Sequence, residues 1–512
     1  MAANPWDRLS AGIPAPIAPW LETMLARNAG TAYLRAYGSP RTMEEFRERV
    51  PIVRYEELSP LVDRIRSGER DAQRSAGVSP AGPAASRRCG YERLHGEPQT
   101  GGETPPGQPA RRQRSGRDER FGYDERSVDV LFAGSPIAFE RTGGSTGAAK
   151  LIPYSAEGLL DFQRSVVPWL DTVVKTHGIT GRAYFSISPA TRRPERIGDI
   201  PVGLPDGAYL GDIAGAVLAE MTAVPFSVAA IDDVALWRSE TIRHLAAARD
   251  LELISVWSPT FFLSLLDQVD NPHLLWPRLK VVSCWASAAS KPFAEALAAH
   301  LPQAHLQPKG LLSTETVVTV PDIDDRPVLT EHGFFEFERD GRLSLHNELT
   351  EGPPYEVIAT TASGLYRYRT GDLVRYEGRS RSRPILEFAG RGNAVSDLVG
   401  EKLTEPFVAA CLEDVPGFRL LVPASENNGY VLLADADTAI SIDDVERRLC
   451  GNPQYAYARR LGQLAALRLM PVSRLYDRYA RIQAEQGIRL GDVKPAALRN
   501  EPEWIGRMEE PS

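Results

Sequence analysis

Cysteine is scarce. The 512 residues contain four, Cys89, Cys284, Cys411 and Cys450, and no two are spaced as CxxC. The eight histidines are scattered, with no HExxH and no His/Cys cluster. These scarcities argue against a disulfide framework and a structural zinc. Long hydrophobic runs are missing too. The most apolar stretch, residues 215–231, is interrupted by Glu220 and Pro225 and is too short to cross a bilayer. There is no excess of positive charge: the net charge is -8, so no global field recruits nucleic acid or an anionic membrane. The opening MAANPWDRLSAGIP lacks a basic segment followed by an apolar run, so no secretory signal is expected. A hydrophobic fraction of 43% supports ordinary cores, and the length predicts more than one domain. The simplest reading is a cytoplasmic, metabolic protein.

What is present is organised α/β sequence with one interruption. Apolar residues at helical intervals predict a helix within 13–36, a second over Thr42–Val50 capped by Thr42 with Glu45 three residues on, and a third over Tyr55–Ile65. Residues 71–126 are then dominated by Gly, Pro, Ser, Arg and Gln. Such a tract cannot bury enough apolar surface to offset its conformational entropy, and it reads as a disordered insertion, either a solvated linker or a translated frameshift. Order resumes with a short strand predicted over Val128–Phe132, and Ser155 caps a helix running from Ala156 to about Thr176. From Ala183 to Thr319, short apolar runs alternate with helical stretches, the pattern of an α/β layer. Strands are predicted at Phe334–Phe337, Tyr355–Thr360 and Leu365–Tyr368, with Arg369–Asp372 as a following loop. The remainder, from about Asn393, reads as a smaller α+β unit. The expected domains are 1–390 and 391–512.

Four constellations carry chemistry. Phe139–Lys150 reads FERTGGSTGAAK. Its hydroxyls, glycine-freed amides and single ammonium are a kit for holding polyphosphate. It is not a Walker A loop, because Ala149 precedes Lys150 and no hydroxyl follows it. GGSTG also spells the GxSxG of a hydrolase elbow, but Lys150 and Pro153 intervene before any helix, so Ser145 is not expected to be a nucleophile. Gly310–Glu315, GLLSTE, sets a carboxylate beside two hydroxyls and can hold magnesium or a base amino group; alone it also reads as a capping sequence. Tyr366–Asp372, YRYRTGD, offers a carboxylate that can accept from two vicinal ribose hydroxyls, or simply an Asp paired within an Arg-rich hairpin. Phe388–Glu405 carries two glycine-punctuated turns with Arg391 and Lys402, either a hinge bearing cations or an ordinary linker. Trp257, Phe261 and Phe262 follow a predicted strand. They either pack in the core or form an apolar wall for a substrate.

Taken in this order and spacing, these motifs resemble the adenylate-forming superfamily. FERTGGSTGAAKLIPY, KGLLSTET, GLYRYRTGDLV and VSDLVGEKL are similar, more closely, to a bacterial member of the auxin-responsive Gretchen Hagen family of acyl acid–amido synthetases. The resemblance covers roughly residues 13–70 and 127–500. It implies an α/β adenylate-forming fold with a large N-terminal multi-layer domain, a small α+β C-terminal domain and the active site between them. It implies ATP as substrate with Mg2+, formation of an acyl-adenylate from a small carboxylic acid, and transfer to an amine such as an amino acid. A coenzyme A ligase is the alternative within the class, and a catalytically silent nucleotide-binding protein the alternative outside it. By matching position, the resemblance assigns ATP binding to Thr142, Gly143, Gly144, Ser145, Thr146, Gly147, Lys150, Ser313, Thr314, Glu315, Tyr368, Asp372 and Arg391. Glu315 is placed near the metal, and Lys402 and Lys494 as catalytic cations brought in by rotation about a hinge at Asn393. Trp257, Phe261 and Phe262 are candidate substrate-binding residues. The chain departs from the family at Gly143-Gly144, which removes a hydroxyl donor, and at Thr316, where many relatives have glycine.

Overall fold

The computed structural model describes residues 4–15, 18–67, 129–142, 150–186, 195–204, 206–267, 269–392, 395–424 and 428–509. The expected insertion, the phosphate-loop residues Gly143, Gly144, Ser145, Thr146 and Gly147, and Asn393 all lie outside that set.

The α/β layer is a sheet of four parallel strands in the order Arg182–Phe185, Leu251–Ser255, Val281–Cys284, His305–Pro308. Leu253, Ile254, Val281 and Val282 are buried on both faces, as a central parallel strand requires, and so read as continuous apolar runs without alternation. Helices Val234–Ala247, Pro259–Leu266 and Lys291–His300 cover one face through Trp237, Phe262, Leu265 and Leu297, with Trp276 packed among them. Helices Ala156–Thr176 and Gly211–Met221 close the other through Val167, Leu170, Val217 and Leu218. Ser155 caps the long helix by accepting from the Gly158 amide at 2.9 Å, as predicted.

A second sheet of seven antiparallel strands is centred on Tyr355–Thr360, Tyr368–Ser380 and Arg383–Arg391. A third, of four short strands, contains the hairpin Ala138–Arg141 and Leu151–Tyr154. Toward the C-terminus a three-stranded sheet, Arg419–Ala424, Gly429–Asp435 and Arg468–Val472, packs against helices Leu475–Glu485 and Glu503–Glu509.

Several expected elements shift. The helix expected within 13–36 is two, Trp20–Asn28 and Ala32–Ala36, because Thr31 caps a new start after Gly30. The capping-box helix is present over Met43–Arg49, with Thr42 Oγ1 accepting from the Glu45 amide and the Glu45 carboxylate accepting from the Arg41 amide. The strand expected at Val128–Phe132 is absent from its described residues; Val130, Leu131 and Phe132 are buried core fillers, with the Val130 carbonyl accepting from the Tyr33 amide and the Leu131 carbonyl from the Tyr366 hydroxyl. The largest correction concerns Arg369–Asp372, which is no loop. It opens the 13-residue strand Tyr368–Ser380, while Leu365 and Tyr366 precede it. Gly371 has φ +77°, a backbone state open to glycine at low cost, and a register shift beside it lets the strand bend there.

Candidate active site

A cavity of about 1850 Å³ lies where the sheets meet. Thr142, Lys150, Trp257, Ser313, Thr314, Glu315, Asp372, Arg391 and Lys494 all line it. Residues from six separate stretches of sequence therefore converge on one space, and each is placed by local structure.

The ends of the phosphate loop are stitched together. The Thr142 amide donates to the Lys150 carbonyl at 2.9 Å, and the Lys150 amide donates to Thr142 Oγ1 at 3.2 Å. Lys150 Nζ donates to the Tyr368 hydroxyl at 3.0 Å and lies 5.6 Å from the ring centres of both Tyr55 and Tyr368. Tyr368 was expected to touch nucleotide. It is instead fully buried behind Lys150 and does not line the cavity, so it positions the lysine.

Gly310–Glu315 leaves the last parallel strand and folds back beside Thr319–Pro321. A Cβ at Gly310 would stand 2.1 Å from the Thr319 carbonyl oxygen, so only glycine permits this approach. The turn is closed by the Ser313 amide donating to the Thr316 carbonyl at 2.9 Å, while Ser313 Oγ accepts from the Thr316 amide at 3.3 Å. The Tyr154 hydroxyl donates to the Thr314 carbonyl at 2.6 Å. The turn thus holds the Thr314 and Glu315 side chains toward the cavity.

Asp372 is buried and sits directly across the sheet from Arg391, with Arg391 Nε 3.4 Å from Asp372 Oδ1. Burial pulls the Arg391 pKa down, but the carboxylates of Asp372, Glu315 and Glu405 outweigh it and the net shift is upward. Glu405 is shifted up by its own burial, against the pull of Arg391 and Arg499. Lys494 projects into the same space 5.0 Å from the Trp285 ring centre. It is crowded by protein yet open to water through the cavity. Desolvation, then repulsion from Arg391, lowers its pKa to about 8, with Asp372 and Glu315 opposing.

Phe261, Phe262 and Lys402 are not brought to this cavity. Phe261 and Phe262 belong to the core between the helix and the parallel sheet, in contact with Trp237, Tyr184 and Trp276, and do not reach the cavity. A helix starting at Pro259 turns them inward, whereas Trp257, two residues earlier, stays at the strand end and lines the space. Lys402 is exposed in a left-handed turn (φ +48°) and does not line the cavity, while Lys494 does. Sequence reasoning also missed Lys309, Trp169 and Trp285. Lys309 opens the KGLLSTET segment already singled out.

Among the described residues no group of three or more His, Cys, Asp or Glu could hold a metal. Glu315 presents one carboxylate to the cavity. That suits a magnesium ion bound mainly by phosphates, since such ions take one or two protein carboxylates. No helix among the described residues is long and apolar enough to cross a membrane.

Residues 18–75 match the family model of the GH3 family N-terminal domain, and residues 327–391 that of the GH3 family central domain. An indole-3-acetic acid-amido synthetase GH3.15 of Arabidopsis thaliana is 22% identical over 436 residues, 75% of this chain and 69% of that protein. A jasmonoyl–L-amino acid synthetase JAR4 of Nicotiana attenuata is 27% identical over 180 residues, 30% of this chain and 31% of that protein. The chain thus spans about a third of the length of that curated relative. The solved structure of a GH3.15 acyl acid amido synthetase superposes with a TM-score of 0.72 at 16% identity, covering 98% of this chain and 94% of that one. A 2-hydroxyisobutyryl-CoA ligase superposes with a TM-score of 0.51 at 13% identity, covering 98% and 89%. The fold is the α/β fold of the GH3 and adenylate-forming enzymes over nearly the whole chain.

Proposed function

We propose that this chain is a GH3-type acyl acid–amido synthetase, which activates a carboxylic acid with ATP and conjugates it to an amino acid. The observation that carries the reading is the convergence of Lys150, Glu315, Asp372, Arg391 and Lys494 on one cavity beside an aromatic wall. The relatives named above support the amino acid as acceptor.

In the first step a carboxylate oxygen of the acid bonds to the α-phosphorus of ATP, and the bond from that phosphorus to the bridging oxygen breaks. Pyrophosphate carries the electron pair away. No base is needed, because the carboxylate is already ionised at neutral pH. The obstacle is the approach of like charges. Lys150 and the amides and hydroxyls of residues 142–147 hold the phosphates, and Lys494 offsets charge on the group in transfer. Asp372 accepts from the ribose hydroxyls, with Arg391 fixing its orientation. Glu315 holds Mg2+, which when bound neutralises phosphate charge. In the second step the amine nitrogen bonds to the acyl carbon, AMP leaves with the bond electrons, and the nitrogen loses a proton.

Pyrophosphate release from ATP and Mg2+ tests the first step, and amide formation on adding amino acids tests the second. Acid-dependent pyrophosphate followed by an amide supports the reading. A thioester with coenzyme A and no amide would move the chain to the acid–thiol ligases. ATP binding without pyrophosphate from any acid would refute the enzyme reading.

A further inference from the structure

Resting on the acid-activating reading above, we infer that the acid carries a second anionic group, remote from the carboxylate that is adenylated, and that Lys309 receives it. Lys309 follows the strand His305–Pro308 and lines the cavity although it is only 6% exposed. Its ammonium lies 4.7 Å from the Trp169 ring centre and 4.8 Å from that of Trp257. Its one side-chain hydrogen bond among the described residues goes to Ser255 Oγ at 2.8 Å.

No carboxylate pairs with it among the described residues. The neighbouring ionisable group is the Cys284 thiol, which burial pushes up to about 12 and so keeps neutral. Two ring faces and a hydroxyl stabilise a buried ammonium by far less than its desolvation costs. Burial accordingly pulls the Lys309 pKa down to about 7. A wholly apolar tail entering this end of the cavity would strip the remaining water and leave the cation without a counter-charge. A tail ending in an anion would supply one.

The arrangement also sets the shape of the ligand. Ring contacts run in series from Lys494 to Trp285, from Trp285 to Trp257 (centroids 6.1 Å apart), and from Trp257 to Lys309. An acid lying along the two indoles would present one carboxylate at the Lys494 end and its second at Lys309. The chemical class is a dicarboxylic acid with a flat or extended apolar body.

The test separates binding from chemistry. Tryptophan emission of the full chain is titrated with terephthalate, with suberate and with the monomethyl ester of each. Wild type is expected to bind at least one diacid about tenfold or more tightly than its half-ester, the range of a charge-assisted hydrogen bond. In Lys309→Met the two should bind alike. Lys309→Gln, which keeps a polar end for Ser255, should behave as the Met variant does, and thermal melts confirm that both are folded. Half-esters binding wild type as well as the diacids, no diacid binding at all, or a preference surviving in both variants would overturn the inference. Lys309-dependent diacid binding with no pyrophosphate release would instead refute the adenylation reading. Pyrophosphate from monocarboxylic acids, with no diacid preference, would leave that reading standing and refute this one.

Discussion

Replacing Lys494 with methionine separates charge from shape at the centre of the cavity. The two side chains are close in length, so the stem against Trp285 is retained while the ammonium is lost. The side chain is open to the cavity and its charge is disfavoured by the surroundings, so the variant should fold within about 0.5 kcal/mol of wild type. If the ammonium acts on charge that develops in the transition state, its loss should cost kcat/KM for acid-dependent pyrophosphate release about 10²–10³-fold, or about 2.7–4 kcal/mol. ATP affinity should change far less. The pH profile gives a second readout. Lys494 is protonated below its lowered pKa of about 8. Wild-type activity should therefore hold up to that pH and fall by about tenfold per unit above it, whereas the methionine variant should be flat across that limb. Arg391 keeps its charge throughout and produces no such limb. A variant with wild-type rate, or one that keeps the alkaline fall, would refute the role of Lys494.

Asp372→Ala should weaken ATP binding by about 1.5–3 kcal/mol, because it removes a carboxylate acceptor and leaves Arg391 short of its partner; unchanged affinity in a calorimetric titration would count against the ribose contact. Phe262→Ala should destabilise the fold by about 3–5 kcal/mol in denaturant melts, since Phe262 is fully buried among Tyr184 and Trp276, while the rank order of acids accepted stays as in wild type. Glu252 is fully buried and accepts from the Thr180 and Gly181 amides at 2.8 and 3.0 Å, with Lys280 at 3.0 Å and Arg278 also paired to it. Burial alone would raise its pKa, but these partners lower it from 4.5 to about 2. The folded value lies below the unfolded one, so the stabilisation is complete above about pH 4.5 and lost as pH falls through 2. The gap in unfolding free energy between wild type and Glu252→Gln should be about 3 kcal/mol at neutral pH and close across that window; a gap that persists at pH 2 would contradict this.

What the sequence made legible follows from what each signal encodes. The central parallel strands Leu251–Ser255 and Val281–Cys284 were visible because they read as continuous apolar runs, and the helix from Ala156 because a serine cap precedes a periodic apolar stripe. The motifs around Lys150, Glu315, Asp372 and Arg391, which the structure brings to one cavity, were visible because glycine-punctuated runs of hydroxyl and charged residues stand out in a sequence. Arg369–Asp372 was misread because charged residues and glycine are the composition of a turn. In the structure its arginine pairs with Glu356 on the adjacent strand and with Glu338 on the strand beyond, a compensation that only tertiary pairing reveals. The aromatic cluster was legible as a cluster and illegible in direction. The start of a helix at Pro259 decides which rings face the sheet, so Trp257 meets the cavity and Phe262 does not. Lys309 carried no motif of its own. Its character comes from Trp169 and Trp257, two segments distant in sequence.

The strand Tyr368–Ser380 ties the parts of the site together. Its first residue, Tyr368, takes the Lys150 ammonium from behind, and four positions later Asp372 faces the cavity across from Arg391. The Lys150 ammonium and the Asp372 carboxylate are therefore set from one piece of backbone, and the spacing between them is fixed by the strand and by the Gly371 bend. Just before it, Arg367 anchors the strand to the N-terminal helices. Its guanidinium pairs with buried Glu336 at 2.7 Å and donates to the Arg47 and Val50 carbonyls at 2.6 and 2.7 Å. Glu336 in turn accepts from Arg47 Nε at 2.9 Å. A buried ion pair of this kind gains little net stability over apolar packing, but removing one partner leaves a charge uncompensated. What the arrangement provides is register. With Arg367 locked on two carbonyls and a carboxylate, the strand cannot slide along its neighbours without breaking all of them, and so Lys150 and Asp372 keep their separation. The segments of the chain matched to the GH3 N-terminal and central domains, residues 18–75 and 327–391, are the two that this network joins.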